Sequence, residues 1–128
     1  MPFRALTPDA PVHEIKAELF KALGHPVRVR VLELLVQREH AVSELLTETG
    51  LEPSHLSQHM AVLRRAGVVV ARREGNGVHY RTAHPSITEL LAAARTFLVS
   101  ALVGTQAALT GLEQQGDTGV ADAARTHR

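Results

Sequence analysis

Apolar residues recur along most of this chain at helical spacing. Ile15, Leu19, Phe20 and Leu23 predict a first helix over about residues 12–23, after a loose, flexible arm at 1–10 that holds Pro2 and Pro8. Gly24 stops it, and Pro26 suits the first turn of a second helix because its missing N–H has no partner to lose there. That helix carries Val27, Val31, Leu34 and Leu35 and ends near Arg38. Ser43 is placed to cap a short third helix, Glu44 to Thr49, with Leu45 and Leu46 turned inward and Gly50 closing it. Pro53 opens a fourth helix over about 53–66, which Gly67 ends. The period then changes. Val68–Arg73 and Val78–Thr82 read as two strands, and Asn76-Gly77 between them is the strongest short hairpin signal, since both residues tolerate φ > 0. Pro85 begins a long last helix with a stripe of Ile87, Leu90, Leu91, Ala94, Phe97, Leu98, Ala101, Leu102, Leu109 and Leu112. To Leu112 this is 28 residues, about 42 Å. So small a domain does not need such a length for its own core, and the stripe predicts that a second copy packs on it. The expected organisation is one domain over 11–112, mainly helical with a small β-hairpin, and a disordered tail over 113–128.

Charge sharpens one segment. Residues 54–81 carry five arginines (Arg64, Arg65, Arg72, Arg73, Arg81) and one acid, Glu74. Residues 1–53 carry six bases and eight acids, and residues 82–128 three bases and four acids. The formal net charge of +1 thus hides a single basic module between mildly acidic flanks, the electrostatic footprint of a duplex-binding surface. A solvated charged face explains any one of these arginines but not all five in one helix-and-hairpin module.

Rotating the fourth helix by 100° per residue puts Leu56, Met60 and Leu63 within about 60° of arc, a buried stripe. Ser54, Ser57, Gln58, Ala61 and Arg65 spread over the other side. Short hydrogen-bonding groups around an alanine suit a major groove. Glutamine can pair with adenine, serine with base or phosphate, and alanine with a thymine methyl. The candidate DNA contacts are therefore Ser54, Ser57, Gln58 and Arg65 from the helix, His55 toward the DNA backbone, and Arg72, Arg73, Asn76 and Arg81 from the hairpin. His55 and His59 stand at metal-ligand spacing, but neither a glutamate at 56 nor a third ligand completes a zinc-hydrolase motif. His59 falls about 60° from Leu56, toward the core, and reads as a structural hydrogen-bonder.

The remaining composition mostly excludes. There is no cysteine, so disulfides, thiolate metal sites and thiol switches are ruled out. With three phenylalanines and one tyrosine, the core must be built of Leu, Val and Ala. No apolar run is expected to reach the roughly 18 residues that span a bilayer, and the first residues lack a secretory apolar region, so a soluble cytoplasmic protein is expected. No phosphate-binding glycine loop or Ser-His-carboxylate motif suggests an enzyme, and Gly75-Asn76-Gly77 reads as a turn.

Taken together, Phe20-Lys-Ala-Leu-Gly-His-Pro-Val-Arg-Val-Arg-Val-Leu32, Ser43-Glu-Leu45, Ser54-His-Leu-Ser-Gln-His-Met60, Leu63-Arg-Arg-Ala-Gly-Val-Val69, Arg72-Arg-Glu-Gly-Asn-Gly77 and Tyr80-Arg81 resemble the ArsR/SmtB family of winged helix-turn-helix repressors over about residues 12–102. The resemblance implies the order α-α-α-α-β-β-α, a homodimer through the first and last helices, and an operator released by a signal. It also exposes departures. Where metal-sensing members carry Cys-x-Cys at the third helix, this chain has Ala41 and Ser43. Where others carry ligands on the last helix, it has His84, Ser86, Phe97 and Ser100. Neither familiar metal site is present, and no metal or other cofactor is assigned.

The expected function is a dimeric DNA-binding regulator, a repressor on an inverted-repeat operator in double-stranded DNA, released by a signal the sequence does not identify. Alternatives stay open. The chain is also readable as a winged-helix interaction module, or an activator that needs a partner protein or small effector. A third version senses zinc or nickel through Asp9, His13 and His84 brought together across the dimer, against which stands the plainer reading that His84 caps its helix and His13 is solvated.

Overall fold

The computed structural model describes residues 9–115. Its helices are α1 (Val12–Leu23), α2 (Pro26–Leu35), α3 (Val42–Thr49), α4 (Pro53–Arg65) and α5 (Ser86–Gln115), and its strands are β1 (His40–Ala41), β2 (Val69–Glu74) and β3 (Gly77–Thr82). The described residues divide into two compact units, the first ending at Thr88 and the second beginning at Glu89.

In the first unit, α2, α3 and α4 enclose a core of Val31, Leu32, Leu34, Leu35, Leu45, Leu56, Met60 and Leu63, with Val68 just before β2, Val69 and Tyr80 from the sheet, and Ile87 closing it. Several of the helix boundaries have an identifiable chemical cause. His25 precedes Pro26, and its Nδ1 accepts the Val27 N–H at 3.1 Å, so α2 starts on an imidazole cap. The same His-Pro device recurs at His84-Pro85, where Nδ1 accepts the Ser86 N–H at 3.1 Å at the start of α5. At the end of α4, Gly67 takes φ 77°, its N–H bonds Arg64 O, and Val68 N–H bonds Leu63 O. This pair of bonds is a Schellman motif, which turns the chain sharply from α4 into β2.

Several expectations need correcting. Ser43 does not cap α3. The helix begins two residues earlier than expected, at Val42, with Ala41 at the cap position, and Glu44 reaches back to accept the Ala41 N–H at 2.8 Å. Helix α2 stops at Leu35 rather than near Arg38. The sheet has three strands in the order β1-β3-β2, all antiparallel, because the two-residue β1 pairs His40 with Tyr80 and Ala41 with His79. The hairpin turn sits at Gly75-Asn76, between the Glu74 and Gly77 partners. Only Gly75 has a positive φ there, at 58°, whereas Asn76 and Gly77 do not. A glycine with positive φ at the first turn position alone is the pattern of a II′ turn, so the freedom for φ > 0 expected of Asn76 and Gly77 is used at Gly75 instead.

The second unit is the body of α5. The helix extends through residues 113–115, which were expected in the tail, while 116–128 and most of the expected N-terminal arm lie outside the described residues. Leu90 and Leu91 are half-buried, whereas Phe97, Leu98, Val99, Leu102, Val103 and Leu109 are exposed. Over Ser86–Gln114 this helix is long and apolar enough, by length and composition, to cross a membrane, with a mean hydropathy of 1.5 in its most apolar window. The expectation that no stretch reaches that measure is therefore wrong for α5, whose Leu, Val and Ala between the polar residues lift the average.

Candidate nucleic-acid interface

Helix α4 separates its faces sharply. Leu56, Met60 and Leu63 are at most 1% exposed, while Ser54, His55, Ser57, Gln58, Arg64 and Arg65 lie in solvent. All nine residues singled out as DNA contacts are exposed: these five of α4 (Ser54, His55, Ser57, Gln58, Arg65) and Arg72, Arg73, Asn76 and Arg81 of the hairpin.

The histidine on the inner flank of α4 holds the helix in place. His59 Nδ1 lies 3.2 Å from an Arg28 Nη1 of α2, and the His25 ring centroid is 4.3 Å from that of His59. A guanidinium can only donate, so Nδ1 accepts and the ring proton sits on Nε2. Arg28 also donates through Nε to Ala22 O at 2.6 Å, one of the carbonyls that end α1. One side chain thus fastens α1, α2 and the solvent-facing helix α4. Burial pushes the His59 pKa down, and the neighbouring His25, Arg28 and His55 push it the same way. Arg28 was not among the residues the sequence singled out. Its role depends on a partner 31 positions away, which no local pattern reveals.

In the hairpin, register sorts the arginines. Arg73 pairs with Val78, Ala71 with Tyr80 and Val69 with Thr82, so Arg73 belongs to the sheet face that carries Val69 and Tyr80. Arg72 pairs with His79 and Val70 with Arg81, which places Arg72, His79 and Arg81 on the opposite face. There Arg72 is heavily engaged. Its Nε and Nη2 donate to the two carboxylate oxygens of Glu39, and its Nη1 to Glu74 Oε1 at 2.7 Å. His79 Nδ1 is 4.0 Å from Glu39 Oε1. The guanidinium lowers the pKa of both Glu39 and Glu74, and the two carboxylates raise that of Arg72. Among the described residues, no carboxylate stands within ion-pair distance of Arg64, Arg65, Arg73 or Arg81. The basic module therefore offers four uncompensated cations, with Arg64 joining the predicted set and Arg72 already neutralised.

The metal candidates are dispersed within one chain. Asp9 and His13 are exposed, and His13 lies 4.0 Å from Glu14. His84 Nδ1 is occupied by its cap and also sits 2.8 Å from Ser86 Oγ. Among the described residues no three His, Cys, Asp or Glu side chains gather as a metal site. Ala41 and Ser43 line an open groove of about 370 Å³ together with Val42, Leu46, Asn76, Gly77 and Val78.

A helix-turn-helix whose second helix is polar outward and pinned inward, followed by a cationic β-hairpin, defines a winged helix-turn-helix regulator. Comparison with known proteins agrees. The profile of the bacterial regulatory protein, ArsR family, matches residues 25–70. The HTH-type transcriptional regulator Rv0081 of Mycobacterium tuberculosis is 53% identical over 107 residues, covering 83% of this chain and 94% of that protein. Its crystal structure superposes with a TM-score of 0.69 at 55% identity, covering 74% of this chain and 96% of the other. A biofilm growth-associated repressor of Xylella fastidiosa is 38% identical over 80 residues, 62% of this chain and 70% of that one. The homodimeric winged helix-turn-helix DNA-binding domain of a possible ArsR-family regulator of Mycobacterium bovis has a TM-score of 0.63 at 33% identity, covering 68% and 81%. The chain belongs to the ArsR family of transcriptional regulators.

Proposed function

We propose that this protein is a dimeric repressor that lays α4 of each protomer in the major groove of an inverted-repeat operator, with the β2–β3 hairpin tip beside it, and leaves the operator on a signal. The observation that carries this reading is the two-sidedness of α4: Leu56, Met60 and Leu63 are buried, and Ser54, Ser57, Gln58 and Arg65 are exposed together. These are groups that read base edges, on a helix fixed from behind by Arg28 and His59. The repressor relative and the homodimeric relative support the regulatory sense and the two-fold arrangement. Two-fold symmetry places the half-sites about one or more 10-bp turns apart.

The test is a salt titration of duplex binding by the purified protein. Four uncompensated cations per protomer, eight per dimer, give a slope of log affinity against log salt of about −7. Arg73→Ala is expected to weaken binding to every sequence and to flatten that slope by about 2 per dimer. Gln58→Ala is expected to relax sequence choice, by about 1–3 kcal/mol at the base it reads, with little change in slope. A wild-type affinity independent of salt, or of sequence, would overturn the reading.

A further inference from the structure

We propose that Glu39 is an intramolecular stand-in for a DNA phosphate: it occupies Arg72 and thereby holds down the protein's affinity for duplex DNA of any sequence. The inference rests on the DNA-binding reading above. Arg72 lies in the middle of the hairpin, on an exposed strand of a basic module, where a phosphate contact would be expected. Its bidentate edge, however, is already taken by the two oxygens of Glu39, and Nη1 by Glu74. A guanidinium has five N–H groups, and the planar edge that would grip a phosphate is the same edge that grips a carboxylate.

Glu39 does not belong to the hairpin. It stands one residue before β1, 33 positions from Arg72. Because β1 pairs with β3, the chain arrives beside the wing at this point, and Glu39 falls on the sheet face shared by Arg72, His79 and Arg81. Arg72 with Glu39 and Glu74 sums to one negative charge. A phosphate approaching Arg72 meets the two carboxylates that already hold its guanidinium, whereas Arg73 on the other face and Arg81 beside His79 carry no such partner among the described residues. Sequence-independent binding is set by phosphate contacts, so muting one of them widens the gap between operator and bulk DNA, the quantity that matters when non-operator sites are in vast excess.

The experiment measures binding to a scrambled duplex over a range of salt, using full-length protein. Glu39→Gln is expected to bind at least about fivefold tighter at low salt, with a slope steeper by about 2 per dimer, one new phosphate contact per protomer. The double variant Glu39→Gln with Arg72→Ala is expected to lose that gain, and Arg72→Ala alone to leave the wild-type slope unchanged. A merely structural role for the ion pair predicts the opposite sign, since loosening the wing weakens binding. Should Glu39→Gln melt the domain, Glu74→Gln at the solvent-exposed hairpin end frees only Nη1 and is expected to give a smaller gain of the same sign. Equal or weaker binding by folded Glu39→Gln or Glu74→Gln overturns the proposal. So does a flattened slope for Arg72→Ala alone. If Arg73→Ala still flattens the slope in that event, the DNA-binding reading stands and only the role of Glu39 falls.

Discussion

His59 shows how much one side chain on α4 contributes to holding it. Its imidazole must stay neutral to accept from Arg28, and burial, reinforced by nearby cationic groups, holds its pKa below 6.5 in the folded protein. The unfolded chain therefore takes up a proton that the folded chain refuses. The stabilisation is complete above the unfolded value of about 6.5 and is lost as pH falls through the lower folded value. Thermal unfolding followed by circular dichroism is expected to give a Tm that drops between about pH 7.5 and pH 5.5. His59→Gln keeps an acceptor and removes the titration, so its Tm should drop less over the same range. Equal drops in the two proteins would locate the pH dependence in groups other than His59. The exposure pattern of α4, and the inward set of His59, follow from a 100° rotation and are legible in the sequence. The partners of His59 and Arg72 are not, because they come from 31 and 33 positions away, and only the folded topology brings them near.

At the level of elements, glycines and caps fix how α4 meets the wing. Gly67 sits at φ 77°, where a Cβ would meet nothing within 4 Å, so the obstacle to substitution is backbone strain and not crowding. Gly67→Ala is expected to cost about 1–2 kcal/mol, a Tm loss of roughly 4–8 °C per kcal/mol for a domain of this size, measured by thermal or urea unfolding. A loss no larger than that of an alanine placed at an exposed helical site would mean that the Schellman turn relaxes freely. The glycine that ends α4 was legible because a helix stop needs a residue of this kind at this place. Strand β1 was not. Two residues, His40 and Ala41, carry no alternation to detect, and what makes them a strand is pairing with Tyr80 and His79 across the sheet. The same remoteness hid the start of α3. Ser43 looked like a cap by residue type, but Glu44 also bonds Arg38 and the Ala41 N–H, which stabilises an earlier start and holds the Glu44 pKa at about 2.

On the scale of the whole molecule, the exposed apolar surface of α5 is where a second copy is expected to pack. Phe97 is 70% exposed, Leu102 69% and Leu98 57%, with Val103 beside them, far more than scattered surface apolarity in a helix with so few charges. Burying such side chains stabilises by about 1.5–3 kcal/mol each, so a handful on each of two facing helices suffices for a tight dimer. Leu98→Glu with Leu102→Glu is therefore expected to raise the dimer dissociation constant by at least about 100-fold, read by light scattering during size-exclusion chromatography across a dilution series. The monomer should retain the helical and sheet signal of the first unit, whose core holds no residue beyond Ile87. Its DNA affinity should fall steeply, with a salt slope about half that of the dimer, because only one half-site is engaged at a time. Three results would count against this. The variant could remain dimeric, or wild type could be monomeric at all concentrations. The third is co-sedimentation of wild type with lipid vesicles, which would mean that the apolar face of α5, hydrophobic enough on average to cross a bilayer, meets lipid and not a second copy.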